Sequence, residues 1–260
     1  MNNVNKTLYI PLYGKAYVSQ KNIILRDPKA ELIWKKEGFP LKGKSRSKWL
    51  AYYMGMRSAV FDNWLKEEMT KDAEAIILHI GCGMDSRIDR VGTKGHQWYD
   101  VDFPEVIAER RKYYEETEFY HMTESDARAK EWICCLPKKS AIVVLEGVSM
   151  YLKLPELQQL LAAMNQHFSS VKILLDCYTE LSARVSKYKN PINDVGVTMV
   201  YGLDDPKILE NGTGLTLVKE HKMTPEHLID ELDGAESFIF GHVFGGKLAK
   251  RMYRMFEFKS

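Results

Sequence analysis

The chain has 260 residues, 45% of them hydrophobic and 28% charged, with a net charge of +2. That length suffices for one large α/β domain with a sizeable core, or for two small ones. The charge gives no electrostatic case for nucleic acid or an anionic membrane, and no apolar run approaches the roughly 20 residues of a membrane span.

Met1-Asn2-Asn3-Val4-Asn5-Lys6 lacks the basic and apolar regions of a signal peptide, so a cytoplasmic protein is the expectation. Cys82, Cys134, Cys135 and Cys177 show no zinc-type spacing, and the adjacent Cys134 and Cys135 are poorly placed to bridge each other. Buried, reduced thiols are expected at all four. No metal-ligand constellation is visible.

Through residues 1–70 the apolar positions recur at helical spacing, as in Trp49-Leu50-Ala51-Tyr52-Tyr53-Met54 leading to Val60-Phe61 and Trp64-Leu65. Asp27-Pro28 resembles a helix start, aspartate as cap and proline at the first helical position. Residues 1–72 therefore read as a helical cap of the same domain, without a sheet of its own, and 73–260 as its α/β core. From residue 75 strand-like runs appear at Ile76–Ile80, His96–Val101, Glu118–Met122, Ala141–Glu146, Val171–Cys177 and Leu215–Glu220. Helical stretches fall between them at Ser86–Val91, Pro104–Thr117, Pro155–Phe168 and Pro225–Leu232. This alternation predicts a mostly parallel sheet with helices on both faces. The stretch 178–214 has no clean period; it reads equally as part of a lid or as a helix and loop packed on the sheet.

One turn carries the chemistry. The run Ala75-Ile76-Ile77-Leu78-His79-Ile80 stops at Gly81-Cys82-Gly83 and gives way to residues that can open a helix. About 20 positions on, Asp102 ends a second apolar run, the spacing of a nucleotide-binding βαβ unit. Glycines let backbone N–H groups approach a ligand, and an ionised carboxylate accepts both ribose hydroxyl hydrogens. Ligands in such sheets bind outside the carboxyl ends of the strands, which sets Gly81, Asp102, Asp126 and Glu146 along one edge. A dinucleotide is disfavoured, because Ser86 stands where the third glycine of that fingerprint would be.

Leu78-His79-Ile80-Gly81-Cys82-Gly83-Met84-Asp85-Ser86-Arg87 resembles the glycine motif of the leucine carboxyl methyltransferase-like family, which includes bacterial O-methyltransferases of polyketide biosynthesis. Trp98-Tyr99-Asp100-Val101-Asp102-Phe103-Pro104 resembles its second motif and Leu145-Glu146-Gly147-Val148-Ser149-Met150-Tyr151-Leu152 its fourth-strand motif. Leu12-Tyr13-Gly14-Lys15-Ala16 and Arg26-Asp27-Pro28 are similar to its N-terminal segment. The resemblance covers residues 7 to about 177. It implies a Rossmann-like class I methyltransferase with a seven-stranded sheet whose last strand, here Met252–Phe258, is antiparallel.

It also implies S-adenosylmethionine as cofactor, leaving as S-adenosylhomocysteine. Gly81 and Gly83 would lie against the cofactor, Asp102 on the ribose, Asp126 at the adenine edge and Glu146 near the amino group. Arg57 would pair with the methionyl carboxylate, helped by Lys15, and a guanidinium fork suits that group. Asp85 and Arg87 are expected to hold the glycine turn. Tyr151 and Glu146 are the candidates beside the transferred methyl. The function implied is O-methylation of a carboxylate or hydroxyl of a small metabolite. Alternatives are a protein C-terminal carboxylate as acceptor, or a cofactor-binding protein without turnover. His121, His167, His221 and His242 are available as a base, but none sits in a catalytic motif.

Overall fold

Parallel strands covered on both faces must be apolar at every position, and the runs at Ile76–Ile80 and Ala141–Leu145 are buried throughout. The computed structural model describes residues 7–37, 41, 43–189, 199–246 and 251–260. The hexapeptide Met1–Lys6 and residues 190–198 of the 178–214 stretch, both read above, lie outside the described residues. Seven strands form one sheet: β1 (Ile76–Ile80), β2 (Trp98–Asp102), β3 (Tyr120–Glu124), β4 (Ala141–Leu145), β5 (Val171–Tyr178), β6 (Thr216–His221) and β7 (Tyr253–Lys259). Their order is β3-β2-β1-β4-β5-β7-β6. β1 to β5 pair in parallel, and β7 inserts antiparallel between β5 and β6. This is the Rossmann-like seven-stranded sheet, with its last strand antiparallel, that the resemblance implies. Its order reverses between β1 and β4, and there the connections leave a crevice at the carboxyl edge.

Ten helices occur among the described residues: α1 (Tyr9–Gln20), α2 (Pro28–Glu37), α3 (Lys48–Lys71), α4 (Arg87–Val91), α5 (Pro104–Arg110), α6 (Glu131–Cys134), α7 (Leu154–His167), α8 (Glu180–Lys189), α9 (Glu226–Ile229) and α10 (Gly234–Val243). Alternation along the strands builds two cores. Ile77, Ile142, Val144 and Leu174 point to one face and pack with Phe61, Trp64 and Leu65 of α3. Leu78, Val143 and Leu145 point to the other and pack with Leu157, Leu160 and Leu161 of α7. Each such aliphatic side chain contributes about 1.5–3 kcal/mol by leaving water. A third cluster joins Tyr52 and Met56 of α3 to Leu228, Leu232 and Phe240, so the β6–β7 connection folds back onto the N-terminal helices. Asp27 caps α2 as expected, Oδ1 accepting from the Ala30 N–H at 2.9 Å. No helix among the described residues is long and apolar enough to cross a membrane.

The structure corrects several expectations. The helix expected over Pro104–Thr117 ends at Arg110. Glu115, Glu116 and Glu118 follow, and acidic groups are disfavoured at the negative end of a helix. The stretch expected over Pro225–Leu232 is one short turn, Glu226–Ile229, after which Asp233 caps a separate helix through the Glu236 N–H. Cys82 and Cys177 are buried but Cys134 and Cys135 are exposed; all four are free thiols. The short α6 ends there, leaving both at the surface while Trp132 and Ile133 face the core.

Leu161 lies fully buried where α7 meets the sheet. Leu161→Ala is expected to lower the unfolding free energy by about 2–5 kcal/mol, read as a reduced midpoint in urea with an unchanged slope.

Candidate active site

The glycine turn is held open by backbone conformations that favour glycine. Gly81 has φ +67° and Gly83 φ +51°. A Cβ on Gly81 would lie 2.3 Å from Cγ2 of Val148, so the strand-to-helix turn and the loop after β4 touch at this point. The Gly83 N–H donates to Asp102 Oδ2 at 2.7 Å, and the Phe103 N–H donates to Asp102 Oδ1 at 2.8 Å. Arg110 ties down the turn's carbonyls, its Nη1 donating to Asp85 O at 2.7 Å and Gly83 O at 3.2 Å. Asp100 in turn anchors Arg110 at 2.5 Å and the Tyr120 hydroxyl at 2.6 Å.

Beneath the turn lies a buried ionic network. Arg87 donates from Nε to Asp62 Oδ1 at 2.7 Å and from Nη2 to Glu146. Arg90 lies 2.6 Å from both Asp62 and Asp27 and 2.8 Å from Asp85. Lys15 meets Asp85 at 3.1 Å. Arg57 donates from Nε to Glu146 Oε1 at 3.0 Å and from Nη1 to the Tyr253 hydroxyl at 2.8 Å, and it stands 3.2 Å from Asp176. Ser58 adds a third hydrogen bond to Glu146 Oε1 at 2.9 Å.

Burial alone would raise these carboxyls. Glu146 is nonetheless pulled down to about 2 by Arg57, Arg87 and Lys15, and Asp85 lies well below the usual range because Arg90, Lys15 and Arg87 surround it. Two carboxyls behave oppositely. Burial pushes Asp102 up to about 6, against the Gly83 and Phe103 N–H groups and Arg110. Burial likewise raises Asp176 to about 6, with Arg57 opposing and Glu146 adding to the rise.

Part of this network borders a cavity of about 870 Å³, near the upper end of the roughly 300–1,000 Å³ of small-ligand sites. Lys15, Arg57, Gly81, Gly83, Asp102 and Glu146 all line it, as do Asp126 and Tyr151. They do not stand alike. Glu146 has its oxygens taken by Arg57, Arg87 and Ser58, so its side chain belongs to the network. Asp126 is half-buried and engaged by Arg128 through side chain and backbone. Asp102 has no ion-pair partner among the described residues and keeps acceptor capacity beyond its two N–H bonds. Asp85 and Arg87 hold the turn and its neighbours. Arg57 is no surface pair: it is buried at 4% exposure.

The far side of the cavity is apolar and aromatic, with Leu50, Tyr53, Met54, Tyr178 and Tyr253 among its walls. From the 178–214 stretch, Tyr178, Ser182, Val185 and Ser186 border it. Sequence reasoning missed Asp62, Arg90, Asp176 and Tyr253. The one signal for Asp176 was an acid inside the apolar run Ile173-Leu174-Leu175-Asp176-Cys177. His121, His167, His221 and His242 instead bond to Gln97, the Leu136 carbonyl, Glu257 and the Phe238 carbonyl.

With this geometry, the family model described as leucine carboxyl methyltransferase matches residues 12–165. The chain belongs to that family. It is a methyltransferase that depends on S-adenosylmethionine. The tetracenomycin polyketide synthesis O-methyltransferase TcmP of Streptomyces glaucescens is 24% identical over 243 residues, covering 92% of this chain and 90% of its own length. The S-adenosyl-L-methionine-dependent methyltransferase dpfgK of Gibberella zeae is 26% identical over 234 residues, covering 81% and 78%. Among solved structures, magnesium protoporphyrin IX methyltransferase of Synechocystis PCC 6803, with bound S-adenosylhomocysteine, superposes with a TM-score of 0.53 at 12% identity, over 90% of this chain and 99% of its own. That likeness is one of fold.

A carboxyl whose folded-state value lies above its ordinary one favours its protonated form. Ionising Asp102 therefore costs stability as pH rises through about 6. Asp102→Asn is expected to melt higher than the parent at pH 8 without ligand, the gap narrowing as pH falls below about 6 and closing below about 4. Gly81→Ala, which meets Val148 in a left-handed conformation, should lose nucleoside binding in calorimetric titration.

Proposed function

We propose that this methyltransferase acts on oxygen, transferring a methyl to a carboxylate or an acidic hydroxyl of a small, largely apolar metabolite. One observation carries the reading. A single cavity joins the turn around Gly81, Gly83 and Asp102 to an aromatic chamber, so donor and acceptor fit side by side. When bound, S-adenosylmethionine supplies a methyl already made electrophilic by its sulfonium.

The residues present suit that donor. Asp102, with unused acceptor capacity and no cation at ion-pair distance, would take the ribose hydroxyls, and the backbone at Gly81 and Gly83 would pass close beside. Asp126 would face the adenine edge. Arg57 and Lys15 would meet the methionyl carboxylate. Glu146 would act from behind by aiming Arg57, and it would keep the pocket acidic toward the amino group. The helices of residues 1–72 serve this site directly, since Lys15 and Arg57 come from α1 and α3, and we assign them to the same domain as the core.

The acceptor side favours an oxygen that arrives charged. Burial raises Tyr53, Tyr151 and Tyr253, so their hydroxyls keep their protons, that of Tyr253 being donated to Asp176. His79, lowered by burial and by Arg87, stays neutral between Asp100 and Arg87. Glu146 and Asp85 are bound to cations. None of these is placed to remove a proton, whereas a carboxylate or acidic phenol needs only alignment. Tyr151 then serves best as a hydroxyl donor positioning that oxygen.

Purified protein incubated with methyl-labelled S-adenosylmethionine and a panel of aromatic acids and phenols should yield base-labile methyl esters or acid-stable ethers. Arg57→Ala, which leaves Glu146 and Asp176 without their shared cation, should lower kcat/KM about a hundredfold or more. Failure to bind S-adenosylhomocysteine would overturn the donor site; tight binding with no labelled product from the panel would overturn the acceptor class.

A further inference from the structure

Asp176 is a buried carboxylate to which the reading above gives no task. It lies in β5, no part of it reaches solvent, and it closes the far end of the ionic network. Its Oδ1 accepts from the Gly147 N–H at 2.7 Å and its Oδ2 from the Tyr253 hydroxyl at 2.7 Å. Lys15, Arg57, Arg87 and Arg90 are linked to Asp27, Asp62, Asp85, Glu146 and Asp176. Among the described residues, four cations therefore face five carboxylates. His79 does not make up the difference, because its Nε2 accepts from Arg87 and the ring is neutral. The Asp100–Arg110 pair beside it balances itself.

A network this deeply buried tolerates an uncompensated charge poorly. The shortfall falls on Asp176. It has one cation, Arg57 at 3.2 Å, which Glu146 already engages at 2.9 Å. Asp27, by contrast, has Arg90 at 2.6 Å. Burial, with Glu146 adding to it, raises Asp176 to about 6, and the single shared cation Arg57 does not offset that rise. S-adenosylmethionine carries an ammonium, a sulfonium and a carboxylate, a net charge of about +1, and the product has lost the sulfonium charge.

Resting on the donor site proposed above, we propose that the network is built one positive charge short so that the donor completes it. Asp176 holds a proton in the free protein, releases it to solvent when S-adenosylmethionine binds, and takes one back once the charge has gone. The site then tells donor from spent product by charge, and the uncompensated carboxylate helps expel the product. Asp176 is in this sense a positioning and discriminating residue, not one that touches the reacting atoms.

The groups facing Asp176 do not confuse the readout. Arg57 comes from α3, Glu146 and the Gly147 N–H from the end of β4, Tyr253 from β7, and the Tyr53, Tyr151 and Tyr178 hydroxyls stand nearby. On its own strand Cys177 is pushed up by burial and by Asp176, with Arg254, Glu220 and Asp204 beyond it. Arginine stays charged, Glu146 stays ionised, and the raised tyrosines and Cys177 stay neutral between pH 5 and 7. Asp102 titrates in the same window, but the ribose it would hold is common to donor and product. Its contribution cancels in the ratio of their affinities.

The test is calorimetric titration of the full chain with S-adenosylmethionine and, separately, S-adenosylhomocysteine from pH 5 to 7, in two buffers of different ionisation heat. That window lies below the roughly 7.7–8.0 of an α-amino group. The ratio Kd(product)/Kd(donor) is expected to rise about tenfold across it, the equivalent of one pKa unit on one carboxyl. Near pH 6 the donor should release a fraction of a proton more than the product. In Asp176→Asn the ratio should be flat, whereas Tyr253→Phe, which keeps the carboxylate but removes a donor to it, should keep the slope with its midpoint moved up. A flat ratio in the parent protein, or an unchanged slope in Asp176→Asn, overturns the inference while leaving the donor site intact. If Asp176→Asn does not fold, the proton count of the parent decides alone. Binding of neither ligand would overturn the donor site itself, and the inference with it.

Discussion

No water reaches Arg87, and a guanidinium stripped of water is tolerable only where each of its faces meets an acceptor. Three parts of the chain meet that demand: Asp62 on α3, His79 in β1 and Glu146 at the end of β4. Removing a single partner from such a buried arrangement costs about 3–5 kcal/mol. The N-terminal helices are thereby bound to the two central strands at the point where the sheet order reverses. The glycine turn, which ends three residues before α4 begins, inherits its position from the same contacts. Every other element of the cavity is placed relative to this centre.

Electrostatics then sorts the carboxylates into two populations. Glu146 and Asp100 are held at about 2 and Asp85 well below the usual carboxylate range by the cations beside them, despite a burial that would raise all three. They act as scaffold, fixing where arginines and backbone stand. Asp102 and Asp176 are undersupplied and sit near 6. A carboxylate kept short of partners is costly to the free protein and useful only if something arrives to relieve it. Stability and binding are thus set against each other at two identified positions, one at the turn and one at the end of β5.

The strands were legible because burial on both faces leaves a mark that survives without context: β4 is an unbroken apolar run, and β1 and β5 are apolar but for His79, Lys172 and Asp176. Helix ends were less so. Neither proline nor glycine marks the end of α5 at Arg110, and the Asp233 cap that opens α10 is followed at once by Gly234, a poor helix former. In the site, Gly81, Asp102 and Glu146 could be placed from the strand ends they follow. Asp62, Arg90 and Tyr253 could not, since their meaning lies in partners across the fold: Arg57 and the Tyr253 hydroxyl are 196 residues apart. The single sequence trace of Asp176 was a charge where an apolar side chain belonged. Such a residue marks a paid-for interaction without saying with whom.

The placement of β7 bears on how the protein is made. It follows β5 and β6 in sequence yet lies between them, so the sheet cannot close in the order in which the chain is synthesised. Pairings of such long separation form late and slowly. Until β7 enters, Arg57 and Asp176 face each other without the hydroxyl that bridges them, and the aromatic wall lacks Tyr253. The last pairing of the sheet thus also completes the partner set of Arg57 and Asp176, joining the rim of the cavity to the closure of the fold.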